Sequence, residues 1–253
     1  MILLKQKPHF GSWNVWGGDP SGLPPRVRTR KHAIVGLATI KRDSIIVYQA
    51  IFFDFDGVIV ESTEIKTQAF RTLYSKHAEA LDDVVAYHIA HEGISRFEKI
   101  LYCHENFLGI KLSENELAEL VGKYSALVKQ VVIDCDSVPG ALDFLQANSA
   151  NFPMFVVSGT PEWELIEIVE SRGLSSYFTS VHGSPQRKVP IINEQLQIHG
   201  FDRDQCLFVG DSMIDYDAAA ETDLTFIGRV GQGHVNSFPE GTTIIRDLTQ
   251  LII

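Results

Sequence analysis

Apolar and polar positions along the chain change rhythm three times. Residues 8 to 31 combine Pro8, Pro20, Pro24 and Pro25 with four glycines and scattered arginines, and show neither a helical nor a strand period. Residues 1–47 are therefore expected to form a poorly ordered N-terminal extension. Within and just after it, "HAIVGLATI" and "SIIVYQAIFF" are candidate strands that would pair. From Ser62 to about Ser137 the period is helical. "TEIKTQAFRTLY" places Ile65, Ala69, Phe70 and Leu73 on one face, and "RFEKILYCHENFLG" does the same with Phe97, Ile100, Leu101, Phe107 and Leu108. "SENELAELVGKYSALVKQVV" opens with a capping box, Ser113 answered by Glu116, and continues as an amphipathic helix. After Pro139-Gly140 the pattern alternates between helices ("ALDFLQA", "PEWELIEIVESRG", "VPIINEQLQIHG", "YDAAAE") and short apolar strands ("FPMFVVSG", "YFTSVHG", "CLFVGD", "LTFIGR"). Such alternation predicts an α/β fold, a Rossmann-like parallel sheet covered by helices on both faces. The expected core is residues 48–62 and 138–253, with 63–137 inserted as an all-helical segment.

Composition narrows the function classes. No uninterrupted apolar stretch reaches the roughly 18 residues of a membrane span. The start "MILLKQKPHF" is too short an apolar run for a signal peptide, so a soluble, cytoplasmic protein with no membrane partner is expected. Cys103, Cys135 and Cys206 are widely spaced and lack a CxxC pair, which argues against a disulfide framework and a zinc site. Residues 1 to 47 hold eight Lys/Arg against Asp19 and Asp43, a net of +6, which leaves −16 for the rest of a chain whose total is −10. A body this acidic repels nucleic acid.

Sheets of this class bind ligands at the carboxyl ends of their strands. Polar clusters sit at three such ends, and a fourth precedes a helix. In "DFDGV", Asp54 and Asp56 lie one residue apart at the end of an apolar run, and Gly57 permits a sharp turn, so both carboxylates can face one pocket. Taken alone, the pair is equally a solvated strand end. Ser158-Gly159-Thr160-Pro161 offers a hydroxyl and backbone N–H groups at a helix start, a natural anion site, although Thr160 alone reads as an N-cap. Arg187-Lys188 is a basic pair ahead of a helix. "GDSMID" adds Asp211 and Asp215, acids that sit close to the first pair only with a hard cation such as Mg²⁺ to hold them.

With its motifs in the order "DFDGV", "VVSGT", Lys188, "GDSMID", the sequence resembles the haloacid dehalogenase superfamily over about residues 50 to 230. The helical block after the first motif is similar to the mobile cap of that superfamily's first cap class. The resemblance implies that Asp54 is the nucleophile and Asp56 the general acid/base, protonated in anionic surroundings. It assigns the transferring phosphoryl to Ser158, the N–H of Gly159 and Lys188. It also implies a Mg²⁺ site made by Asp54, the backbone carbonyl of Asp56, and Asp211, with Asp215 in support. An acid at position 56 favours phosphate esters, because the dehalogenating and phosphonate-cleaving members generally lack one.

The resemblance therefore implies a Mg²⁺-dependent phosphatase acting on a small phosphate ester, a sugar phosphate among the candidates. In the insert, "GISR" (Gly93 to Arg96) resembles a cap segment of the beta-phosphoglucomutases, whose arginine contacts a second phosphate, although Arg96 reads equally as a helix cap or salt-bridge partner. A phosphosugar mutase is accordingly the alternative, disfavoured by "SGT" and by Gly210 and Asp215. A catalytically inactive binding module would have lost one of Asp54, Asp56, Lys188 or Asp211, and all four are present. His88, His91 and His104 read as surface positions.

Overall fold

The structure is a computed structural model and describes residues 48–253. The expectations for residues 1–47, including the first candidate strand, lie outside the described residues. In chain order the elements are β1 (Ala50–Phe53), α1 (Thr63–Leu73), α2 (Leu81–Ala90), α3 (Arg96–Phe107), α4 (Glu114–Asp134), α5 (Ala141–Asn148) and β2 (Met154–Pro161). They continue with α6 (Glu162–Ser171), β3 (Ser180–Ser184), α7 (Lys188–His199), β4 (Cys206–Gly210), α8 (Met213–Glu221), β5 (Thr225–Arg229) and β6 (Thr243–Ile245).

Six strands form one parallel sheet in the order β3-β2-β1-β4-β5-β6. The run "AIFF" is apolar at every position because both faces of β1 are covered. Phe53, Val156 and Val209 point into one core with Leu145 of α5 and Leu165 of α6. Ala50, Phe52, Phe155 and Phe208 point into the other, against Ile191 and Leu196 of α7 and Ala218 and Ala219 of α8. Phe52 and Phe155 stack across the β1–β2 pair with centroids 4.9 Å apart. Because β1 has β2 on one side and β4 on the other, the chain reverses direction across it, and the crevice at the strand ends opens there.

Helices α1 to α4 are inserted between β1 and β2, and their buried residues, among them Phe70, Tyr74, Ile100 and Tyr124, join the first core. The capping box at Ser113 and Glu116 starts α4 as expected. Two elements escaped the sequence reading. Helix α2 has only Val84, Val85 and His88 buried, too short an apolar stripe to stand out. Strand β6 is three residues at the sheet edge. Among the described residues, no helix is long and apolar enough to cross a membrane.

The insert is joined to the core by a two-chain ribbon. Glu61 N–H donates to Asp136 O (2.9 Å) and Val138 N–H to Ile59 O (3.0 Å). Arg172, just past α6, donates to the carbonyls of Val132 (2.8 Å), Ile133 (2.7 Å) and Cys135 (2.9 Å) and to Ser137 Oγ (3.0 Å). One guanidinium thereby satisfies carbonyls that the end of α4 leaves unpaired.

Candidate active site

The four polar clusters meet at the carboxyl end of the sheet. Asp54 follows the last residue of β1, Lys188 is the first residue of α7, and Asp211 and Asp215 flank the β4–α8 turn. Lys188 Nζ lies 3.0 Å from Asp54 Oδ2 and 2.5 Å from Asp215 Oδ1. All three side chains are buried. Burial alone would lower the Lys188 ammonium, but Asp215 and Asp54 outweigh it and hold it above its ordinary value. Asp215 also closes a capping box, accepting from Ser212 N–H (3.1 Å) and Ser212 Oγ (2.6 Å), so it is both the first-turn acid of α8 and part of the site.

Carboxylate oxygens of Asp54, Asp211 and Asp215 all lie within 4.8 Å of one another. Burial, reinforced by Asp215 and Asp56 and only partly offset by Lys188, pushes Asp54 up to about 7. Burial and the neighbouring carboxylates raise Asp211 well above its ordinary range. The site thus holds more negative charge than Lys188 balances, and its donors are hard oxygens. That set fits a Mg²⁺-like cation. The turn beside it has no room for a side chain: Gly57 has φ +73°, and a Cβ there would lie 1.8 Å from Asp211 Oδ2.

Asp56 sits in a different network. Its Oδ2 is ion-paired with Lys66 of α1 and accepts from Thr160 Oγ1 (2.9 Å) and Ser158 Oγ (3.3 Å), while its Oδ1 accepts from Ser62 Oγ (2.6 Å). Lys66 Nζ also donates to Thr160 Oγ1 (2.7 Å). The expectation that Asp56 is held protonated is therefore corrected. Burial would raise its carboxyl, but Lys66 and the hydroxyls of Ser62 and Thr160 lower it to about 2. The N-cap reading of Thr160 is corrected too: Pro161 occupies that position and Thr160 faces Asp56. Removing the cation while burial remains, as in Lys66→Met, is expected to raise Asp56 by about 1–3 units. A ¹³C carboxyl titration followed by NMR checks this, and an unmoved Asp56 would mean the hydroxyls alone set its charge.

The insert forms the other wall of the same cavity, with Lys66, Phe70, His88, Glu92, Arg96, Lys99 and Tyr124 lining it together with Asp54, Asp56, Ser158, Gly159 and Asp211. The two walls touch where backbones meet. A Cβ on Gly159 would lie 2.5 Å from Gly93 O, so this approach needs glycine at position 159. Of the two readings of Arg96, the structure shows the salt bridge. Its guanidinium makes a two-pronged bridge to Glu164 of α6 (2.8 and 2.7 Å), donates to Ser125 Oγ (2.7 Å) and lies 4.6 Å from the centroid of the Tyr124 ring.

Lys66, Lys99 and Glu164 were not singled out from the sequence. Lys99 carried a signal, since it sits beside Ile100 and three residues after Arg96 on the buried stripe of α3. His88 and His104 are buried, not surface positions as read. Glu164 gave no signal beyond an acid in a first helical turn.

A model of the haloacid dehalogenase-like hydrolases matches residues 51–229. Among solved structures, the beta-phosphoglucomutase of Clostridium difficile is similar with a TM-score of 0.63 and 19% identity, covering 81% of this chain and 94% of that one. A predicted phosphoglycolate phosphatase from Haemophilus somnus has a TM-score of 0.61 and 18% identity, over 80% and 95% of the two chains. The magnesium-bound hydrolase YfnB of Bacillus subtilis has a TM-score of 0.59 and 17% identity, over 80% and 96%. No curated protein matches the sequence. The structural likenesses speak to the fold, whereas the family match runs through all four polar clusters and the helical insert between them; the chain belongs to the haloacid dehalogenase-like hydrolases.

Proposed function

We propose that the protein is a Mg²⁺-dependent phosphatase that hydrolyses a small phosphorylated metabolite through an aspartyl-phosphate, with residues 63–137 serving as a cap. The observation that carries this reading is Asp54 at the end of the central strand, 3.0 Å from Lys188 and grouped with Asp211 and Asp215. Mg²⁺, held by Asp54, Asp211, Asp215 and the backbone carbonyl of Asp56, would offset charge on the phosphoryl oxygens. Ser158 Oγ, the N–H of Gly159 and Lys188 orient the phosphoryl group. Asp54 attacks phosphorus in line with the ester oxygen, and the P–O bond to the leaving group breaks. The leaving oxygen takes one proton from the Asp56–Lys66 pair. Water then attacks the aspartyl-phosphate and returns a proton to that pair, so Asp54 and the pair end as they began. An Asp56 ionised at rest suits the second step, and the adjoining ammonium supplies the first.

The mutase reading requires a guanidinium for the second phosphate, and Glu164 already fills the fork of Arg96. Phosphate release from small monoesters, measured with Mg²⁺ and with EDTA, tests the proposal. Release that falls to background in EDTA and returns with Mg²⁺ supports it. Release indifferent to EDTA would remove the metal, and conversion of beta-glucose 1-phosphate to the 6-phosphate without net release would make the protein a mutase.

A further inference from the structure

A second cavity borders the one that holds the site. The first measures about 50 Å³, room for roughly four water molecules, and presents Lys66 and Lys99 to whatever enters it. The second measures about 450 Å³ and lies between the end of α2, the β4–α8 turn and residues 229–238. Three residues line both cavities: Thr63, Glu92 and Asp211. Each carries a side-chain oxygen and two are carboxylates, the donor type that suits a hard cation.

Glu92 is held at this junction by the backbone beside it. A Cβ on Gly93 (φ +85°) would lie 2.6 Å from Ser212 Oγ and 3.1 Å from Ile214 Cβ, so the segment rests on the turn that carries Asp211. Beyond burial and the charges of Asp54 and Asp215, Glu92 adds to the negative field at Asp211. The cationic groups on this side offer little opposition. Arg229 is committed to Glu61 (2.6 and 3.0 Å) and to the carbonyls of Gly57 (3.1 Å) and Arg246 (2.8 Å), and His234 is exposed. Mg²⁺ gives up its waters reluctantly and keeps several of them. An ion of that size has little room in the first cavity, whereas the second accommodates it and ends at Asp211.

We infer that the second cavity is the path by which the metal ion reaches Asp211, with Glu92 as the carboxylate that meets the hydrated ion and draws it in, so that metal and substrate use separate openings. This rests on the metal site of the phosphatase reading, and the test separates the two. Mn²⁺ serves as the probe. Free Mn²⁺ followed by EPR gives Kd, mixing loaded protein with excess chelator gives the release rate, and the two together give the association rate. Ala90 and Ser237 are exposed positions on the wall of the second cavity. In Ala90→Trp and in Ser237→Trp, release and association are both expected to slow by about threefold or more while Kd moves by less than about twofold, because a narrowed path changes neither end state. In Glu92→Gln, association is expected to fall by about threefold to tenfold at low salt and to depend less on ionic strength. Rates unchanged in all three variants, or a raised Kd in Glu92→Gln with both tryptophan variants at wild-type rates, would overturn the path and leave the metal site standing. No Mn²⁺ binding in the wild type would overturn the path and the metal-dependent reading together.

Discussion

Asp54→Asn is expected to lower phosphate release by about 10⁴-fold or more, because the amide keeps the shape of the side chain and loses the nucleophile. The fold should survive, since Lys188 keeps Asp215 as partner and the site sheds one of three crowded carboxylates. The same variant has a second signature, measured in EDTA. Asp54 titrates at about 7 in the fold against an ordinary 3.8, so the folded state holds this proton more tightly than the unfolded chain. Its stabilising contribution is fully present below 3.8 and is lost as pH rises through about 7. Wild-type unfolding free energy in EDTA should therefore fall between these limits, and Asp54→Asn should flatten that fall. Urea titrations at about pH 4 and about pH 7.5 check it. Retained phosphate release in the variant would exclude Asp54 as nucleophile, while an unchanged pH slope would exclude its buried charge as the source.

Glu164→Ala is expected to cost about 3–5 kcal/mol of stability without touching the proposed chemistry, the range for removing one partner of a buried ion pair. Arg96 is 4% exposed and Glu164 fully buried. Deleting the carboxylate leaves the guanidinium with Ser125 Oγ and the Tyr124 ring, neither of them a counter-charge. The double variant Arg96→Met/Glu164→Leu should regain most of the loss, because packed apolar side chains replace such pairs at little cost. A loss under about 1 kcal/mol would place this bridge with surface pairs in strength.

The main fold and one wall of the site were legible because their signals are local. The apolar run into Asp54, the strand ending at Ser158 and the strand ending at Gly210 each carry their polar group within a few positions, and parallel-sheet topology brings those ends together. The other wall was not legible, because its groups are defined by partners on other elements. Asp56 was read as protonated since Lys66, ten positions on and across a turn, gives no sign in the sequence that it faces back. Arg96 matched a phosphate-binding pattern, yet Glu164, 68 positions away, takes its fork. His88 looked like a surface histidine until Phe70, stacked 4.2 Å from it, and Lys99 enclosed it.

The ribbon between residues 59–61 and 136–138, together with the Arg172 clamp on the end of α4, bears on how a substrate enters. Backbone hydrogen bonds across the ribbon and the donors of Arg172 fix both joints of the insert to the core. Such a pair of joints acts as a fulcrum, not a tether. Any swing of the insert in the proposed cap role would lift Gly93 from Gly159 and would also strain the Arg96–Glu164 bridge, which spans insert and core. Admission of a ligand beside Gly93 would then be resisted by that buried bridge as well as by the two joints.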